Sequence, residues 1–185
     1  MAGPAEGPLL LLSAFLMGLA LTNHLTSGLV IPAGFLFVAL VDWRKLVEWR
    51  LGLKGAGLFL LALTPYLYLP VRASMDPPMN EPDPTSIGRL WEFLSGGDLL
   101  SVLFAYKLSE LPDRLALYAD YLFRDFAWVL VLAGVLGLLV LLLRDRAAVV
   151  LLGLPFLGWL FYGLEYNIYD FQLYFIPTYL SWPCL

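Results

Sequence analysis

From Leu9 to Val41 the chain runs for 33 residues without an aspartate, glutamate, lysine or arginine. Gly55 to Val71, Phe126 to Leu143 and Ala147 to Leu164 are further uncharged, strongly apolar runs. About 20 apolar residues are enough for a helix to cross the roughly 30 Å hydrocarbon core of a bilayer. Inside hydrocarbon each backbone N–H and C=O needs a partner, and a helix supplies one within its own segment. Only 14% of the 185 residues are charged, against about a quarter in soluble domains. The chain therefore reads as an all-α, polytopic integral membrane protein with about five spans.

Charge and aromatic placement order these spans. One helix over Leu9 to Val41 would be about 50 Å long, too long for the core. A break at the polar Asn23-His24 is expected, giving a hairpin of two short helices. Asp42 to Lys54 carries Arg44, Lys45, Arg50 and Lys54 beside Trp43 and Trp49, as cytoplasmic loops do. Residues 9–72 thus form the N-terminal transmembrane helices. Residues 73–124 form a large loop on the outer, extracytoplasmic side, with four basic and eight acidic residues between Ala73 and Arg124. Residues 125–164 form a transmembrane hairpin around the inner turn Arg144-Asp145-Arg146. Residues 165–185 form an aromatic segment at the outer face. Within the loop, Thr85 or Ser86 caps a helix running through Phe93, and Ser95 to Asp98 breaks it. Leu99 to Leu108 is expected to lie in the interface as an amphipathic or re-entrant helix. Pro112 then starts a helix expected to run directly into the membrane.

Tyr66 to Pro84 passes from apolar span to a polar, proline-locked loop. Its prolines lack backbone donors and discourage further helix. Arg72 stands where the apolar run stops, with Asp76, Asn80, Glu81 and Asp83 close behind. The hairpin topology collects Asn23, His24, the Arg72–Pro84 loop and Asp170 on the outer side, where a cleft would suit a substrate with a lipid tail and an anionic head. His24 suits a hydrogen-bonding group or base, or else a solvated helix-breaking turn. Arg72 suits a phosphate, or else snorkels from a helix end. Asp76, Asn80, Glu81 and Asp83 suit sugar hydroxyls, a base or a divalent cation, or else form a solvated turn. Glu165 and Asp170 bracket aromatic residues that suit a sugar face or an interfacial belt. The lone Cys184 and lone His24 exclude an intrachain disulfide and a multi-histidine metal site. No phosphate-binding glycine loop and no basic nucleic-acid stripe occurs.

Four segments occur in a recognisable order: Gly18-Leu-Ala-Leu-Thr-Asn-His-Leu-Thr26, Tyr66-Leu-Tyr-Leu-Pro-Val-Arg-Ala73, Asp76-Pro-Pro-Met-Asn80 with Asp83-Pro84, and Asp170-Phe-Gln-Leu-Tyr-Phe-Ile-Pro177. Together they resemble the transmembrane protein O-mannosyltransferase-like family of the GT-C glycosyltransferases. The resemblance implies a GT-C-like helical bundle in a membrane, the bacterial inner membrane being the expected location. It implies transfer of a sugar from a polyprenyl-phosphate carrier to a protein or glycolipid acceptor on the outer side. Membrane lipid, the lipid-linked sugar and the acceptor are then the partners, and nucleic acid is not. Substrate-binding candidates are Asn23, His24, Arg72, Asp76, Asn80, Asp83 and Asp170. No cofactor is required by this reading, and a divalent cation is compatible with it.

The chain departs from the family at its start. The acidic outer loop that carries the base in such enzymes lies upstream of the Asn-His motif, and here only Glu6 precedes it. The expectation is an internal piece of a longer enzyme, without the catalytic acidic loop and inactive alone. A non-catalytic membrane subunit, a transporter fragment or a lipid-interacting scaffold are the rival readings. Charges near the middle of the spans would favour a transporter. None occurs in Gly55 to Val71, Phe126 to Leu143 or Ala147 to Leu164.

Overall fold

A computed structural model of the chain describes residues 6–79, 83–97 and 102–181. Among the described residues all regular structure is helical. Segments Glu6–Asn23, Leu25–Asp42, Trp49–Ala73 and Arg146–Glu165 are each long and apolar enough to cross a membrane. Leu111–Asp125 and Trp128–Arg144 add a fifth if that bent pair is one span. Leu60, Leu61, Leu136 and Leu143 are among many large apolar side chains left exposed. Surfaces of that kind suit contact with lipid rather than water. The helices fall into two compact units, one of Met1–Ile31 with Asp42–Asp98 and one of Pro32–Val41 with Leu99–Leu185.

The first unit is built on α1 (Glu6–Asn23) and α4 (Trp49–Ala62), with α2 (Val30–Asp42) and the short α3 (Arg44–Val47) between them in sequence. Small residues let the two backbones approach. A Cβ on Gly18 would stand 2.7 Å from both Ala62 Cβ and the Phe59 carbonyl oxygen. A Cβ on Gly55 would meet Ala14 at ordinary contact, 3.8 Å. Ala14 and Gly18 form the small-xxx-small spacing that packs helices in lipid. Further along, the Tyr66 hydroxyl donates to the Leu21 carbonyl. Contacts therefore climb together from Ala14–Gly55 through Gly18–Ala62 to Leu21–Tyr66, and the two helices run parallel. A parallel pair requires the chain between them to return to its starting end, so the run from Leu9 to Val41 has to break. It does so where expected: α1 ends at Asn23, and His24 is extended at φ −154°, ψ 130°.

The helix from Trp49 continues through a 3₁₀ turn (Thr64–Leu67) into α5 (Tyr68–Ala73). Pro65 has no N–H to offer Leu61, and the Thr64 hydroxyl donates to that carbonyl at 2.8 Å instead. Beyond the loop lies α6 (Ile87–Ser95). Ser86 caps it by accepting from the Arg89 N–H at 3.2 Å, and Gly96 ends it in the left-handed conformation at φ 67°.

The second unit holds α7 (Leu111–Asp125), α8 (Trp128–Arg144), α9 (Arg146–Glu165), a 3₁₀ turn (Phe171–Phe175) and α10 (Ile176–Ser181). Asp145 caps α9 by accepting from the Ala148 N–H at 3.0 Å, as the Arg-Asp-Arg turn leads one to expect. Tyr118, Leu122, Val131, Leu164 and Phe175 form the core. Phe175 reaches it because α9 has no side chain at Gly163, where a Cβ would lie 2.5 Å from the phenyl ring.

Two expectations are corrected here. The described part of Leu99 to Leu108, from Val102 onward, is turn rather than helix. Phe104 takes φ 60°, and the segment spends its backbone on the end of α9 through Ala105 N–H to Glu165 C=O and Asn167 N–H to Val102 C=O. The helix after Pro112 is also not continuous with the apolar helix that follows it. It stops at the extended Phe126 and Ala127, and α8 leaves at a 112° bend. Asp113, Arg114, Asp120, Arg124 and Asp125 all lie on α7, so the break falls where the charges stop.

Candidate functional site

Parallel packing of α1 with the helix from Trp49 to Ala73 brings Asn23, His24 and Arg72 to the same end of the first unit. Asn23 and His24 are exposed. The imidazole Nδ1 accepts from the Thr26 N–H at 3.3 Å and lies 2.8 Å from the Thr26 hydroxyl, so His24 caps the turn over Leu25–Leu29. This uses one ring nitrogen in holding that turn. Arg72 stands in the last turn of α5 with an exposed guanidinium, and Nη1 is 3.9 Å from Met75 Sδ. That contact is weak, and it leaves most of the five-donor fork available to an anion.

Asp76 follows one turn later in a left-handed conformation at φ 48°, its N–H bonded to the Ala73 carbonyl at 3.1 Å. A non-glycine residue held there marks a sharply turned loop. Asp83 has φ 52° and pairs with Arg89 through Oδ2 and Nη1. It is half-buried, and the pair ties the loop to the first turns of α6. Asn80 and Glu81 lie outside the described residues.

Asp170 belongs to the second unit and is organised differently. It is exposed, and its carbonyl accepts from the Leu173 N–H at 3.0 Å, starting the 3₁₀ turn. Beside it Tyr166 and Tyr174 meet edge to face at 4.6 Å between ring centroids. Burial, a hydrogen bond with Tyr166 and the negative charge of Asp170 push the Tyr174 hydroxyl up to about 12. Burial likewise raises that of Tyr166. Both phenols are therefore neutral donors at physiological pH.

Comparison with family models, with curated proteins and with solved structures finds no match to this chain. The site accordingly rests on its own geometry. Among the described residues no three His, Cys, Asp or Glu side chains come together as a metal site would require.

Arg114 is a residue whose role the sequence did not disclose. Its guanidinium donates to the carbonyls of Leu164 at 3.0 Å, Gly163 at 3.2 Å and Tyr166 at 3.5 Å. Those are the terminal carbonyls of α9, where a cation also complements the helix dipole. Pro112 signals a helix start nearby, but nothing local names partners about fifty residues away. Glu165, at the same helix end, is 5% exposed.

Proposed function

We propose that this protein binds a lipid-linked anionic sugar carrier at one face of the membrane and acts in glycosyl transfer from a polyprenyl phosphate to a protein or lipid hydroxyl. The observation that carries the reading is the convergence of Asn23, His24 and Arg72 at one end of an apolar helix pair. A polyprenyl chain would lie along the lipid-facing helices, and its phosphate would meet a guanidinium at their end. In the reaction the acceptor hydroxyl oxygen attacks the anomeric carbon, its proton passes to a general base, and the bond from that carbon to the phosphate oxygen breaks. Negative charge then grows on the departing polyprenyl phosphate. Arg72 would stabilise it, since a planar fork of donors suits a phosphate and acts most strongly where water is scarce. His24 and Asp83 would position the sugar or the acceptor. Asp76 would add a carboxylate close to Arg72, and its charge would favour hydroxyl groups over a second anion there.

The test is carrier binding by protein reconstituted in vesicles with polyprenyl phosphate and its glycosylated form. Arg72→Gln should weaken carrier binding about tenfold or more, the scale of losing a charge-assisted contact, while Arg72→Lys should retain part of it. Both variants should insert in the membrane normally. Equal binding by wild type and Arg72→Gln would overturn the assignment, and absence of any carrier binding by the wild type would leave the non-catalytic membrane subunit as the better reading.

A further inference from the structure

α6 is the most amphipathic element of the first unit. Ile87, Leu90, Trp91 and Leu94 recur at the i, i+3, i+4, i+7 spacing that makes one continuous stripe, flanked by Phe93. Arg89, Glu92 and Ser95 occupy the other side. The outer part of the stripe is bare, with Ile87 88% exposed and Trp91 70% exposed, while Leu90 and Leu94 are half-buried. In the loop before it, Met75 and Met79 are exposed as well. Exposed apolar surface organised on one helix face marks a contact surface. Only residues 74–86 separate this helix from Ala73, the end of a segment long and apolar enough to cross a membrane, so the stripe follows a candidate span closely along the chain.

We propose that α6 lies in the plane of the membrane–water interface, with the lipid surface as its partner. Ile87, Leu90, Trp91 and Leu94 enter the boundary between headgroups and acyl chains, while Arg89 and Glu92 face water. Tryptophan is the side chain most at home at that depth. The helix then does more than anchor. Ser86 caps its first turn, and Asp83 is joined to Arg89, so the depth of α6 sets the height of the Asp83 carboxylate above the bilayer. The interfacial role expected of Leu99 to Leu108 thus passes to a segment a few residues earlier. The proposal holds whether or not the protein transfers sugars.

The experiment compares wild type with Trp91→Phe, both reconstituted in phosphatidylcholine vesicles whose acyl chains carry bromine near the headgroup or near the chain end. The difference between the two proteins isolates Trp91 with a conservative change. A protein with Trp91 as its one tryptophan provides an independent measurement. An interfacial helix buries its apolar face about 5–10 Å into the headgroup boundary, so shallow bromine should quench Trp91 about twofold more than deep bromine. Aqueous acrylamide should quench it weakly. Ile87→Glu with Leu90→Glu should abolish the bromine quenching while the protein still resists alkaline extraction from the membrane. Strong acrylamide quenching with no bromine effect would overturn the proposal by placing the helix in water. Protection from both quenchers would overturn it in favour of a protein partner or a second copy of the chain.

Discussion

Arg114 lies between two aromatic rings, 4.0 Å from the centroid of Phe171 and 4.4 Å from that of Tyr106. With three carbonyls accepting from it, this one side chain closes the end of α9 and holds α7 against it. Arg114→Met keeps much of the apolar stem and removes the donors. It should destabilise the second unit by about 1–3 kcal/mol, the range for leaving partly buried acceptors unpaired. Denaturant unfolding in detergent micelles checks this, and an unchanged midpoint would mean that water replaces the guanidinium without loss. Gly18 is the corresponding control point of the first unit. Gly18→Leu forces a side chain into a contact already at 2.7 Å and should cost about 1–3 kcal/mol through overpacking. Gly57→Leu, where nothing lies within 4 Å of the added Cβ, should be near neutral in the same assay.

At the scale of elements, the Phe171–Phe175 turn and the α9 terminus share one tyrosine cluster, and it gives a pH signature. Tyr174 is raised from the ordinary 10.0 to about 12. The folded state therefore holds this proton more tightly than the unfolded chain, and unfolding releases it. Its contribution to stability is fully present below pH 10 and is lost as pH rises towards about 12. Alkaline titration followed by tyrosinate absorbance should show a late-titrating phenol that Tyr174→Phe removes, together with the part of the alkaline destabilisation confined to that window. A wild-type titration complete near pH 10 would show that the cluster opens to water. The bend between α7 and α8 belongs to the same scale. A charged helix and a largely apolar one meet at Phe126, whose ring packs on Tyr179 at 5.8 Å, so the corner is filled as well as turned.

At the scale of the whole molecule, parallel packing of α1 and α4 makes a topological prediction. In a variant with Cys184 replaced by serine, single cysteines at Asn23 and at Ser74 should react with an impermeant thiol reagent from the same side of the membrane. A cysteine at Arg50 should react from the opposite side. Protection of position 23 from both sides would mean that the run from Leu9 to Val41 crosses once, and the parallel pair would be wrong.

The membrane class, the helical content, the break at Asn23-His24, the Ser86 cap, the Gly96 stop and the Arg-Asp-Arg turn were all legible in the residues. Each depends on interactions within a few positions: apolar length, a missing N–H, a side-chain cap or a charge barred from hydrocarbon. The role of Ala14 and Gly18 was not legible, since their partners Gly55 and Ala62 are defined only once the backbones meet. Tertiary structure alone decided that Arg114 serves the end of α9, that Val102 to Leu108 gives up helix for contacts with residues 165–167, and that α6 leaves Ile87 and Trp91 exposed. It also decided that Asp83 answers to Arg89, whereas the gathering of Asn23, His24 and Arg72 at one end was already implied by the hairpin topology. Such pairings join positions far apart in the chain. Their energy depends on which surfaces packing leaves facing each other, and no local pattern of residues carries that information.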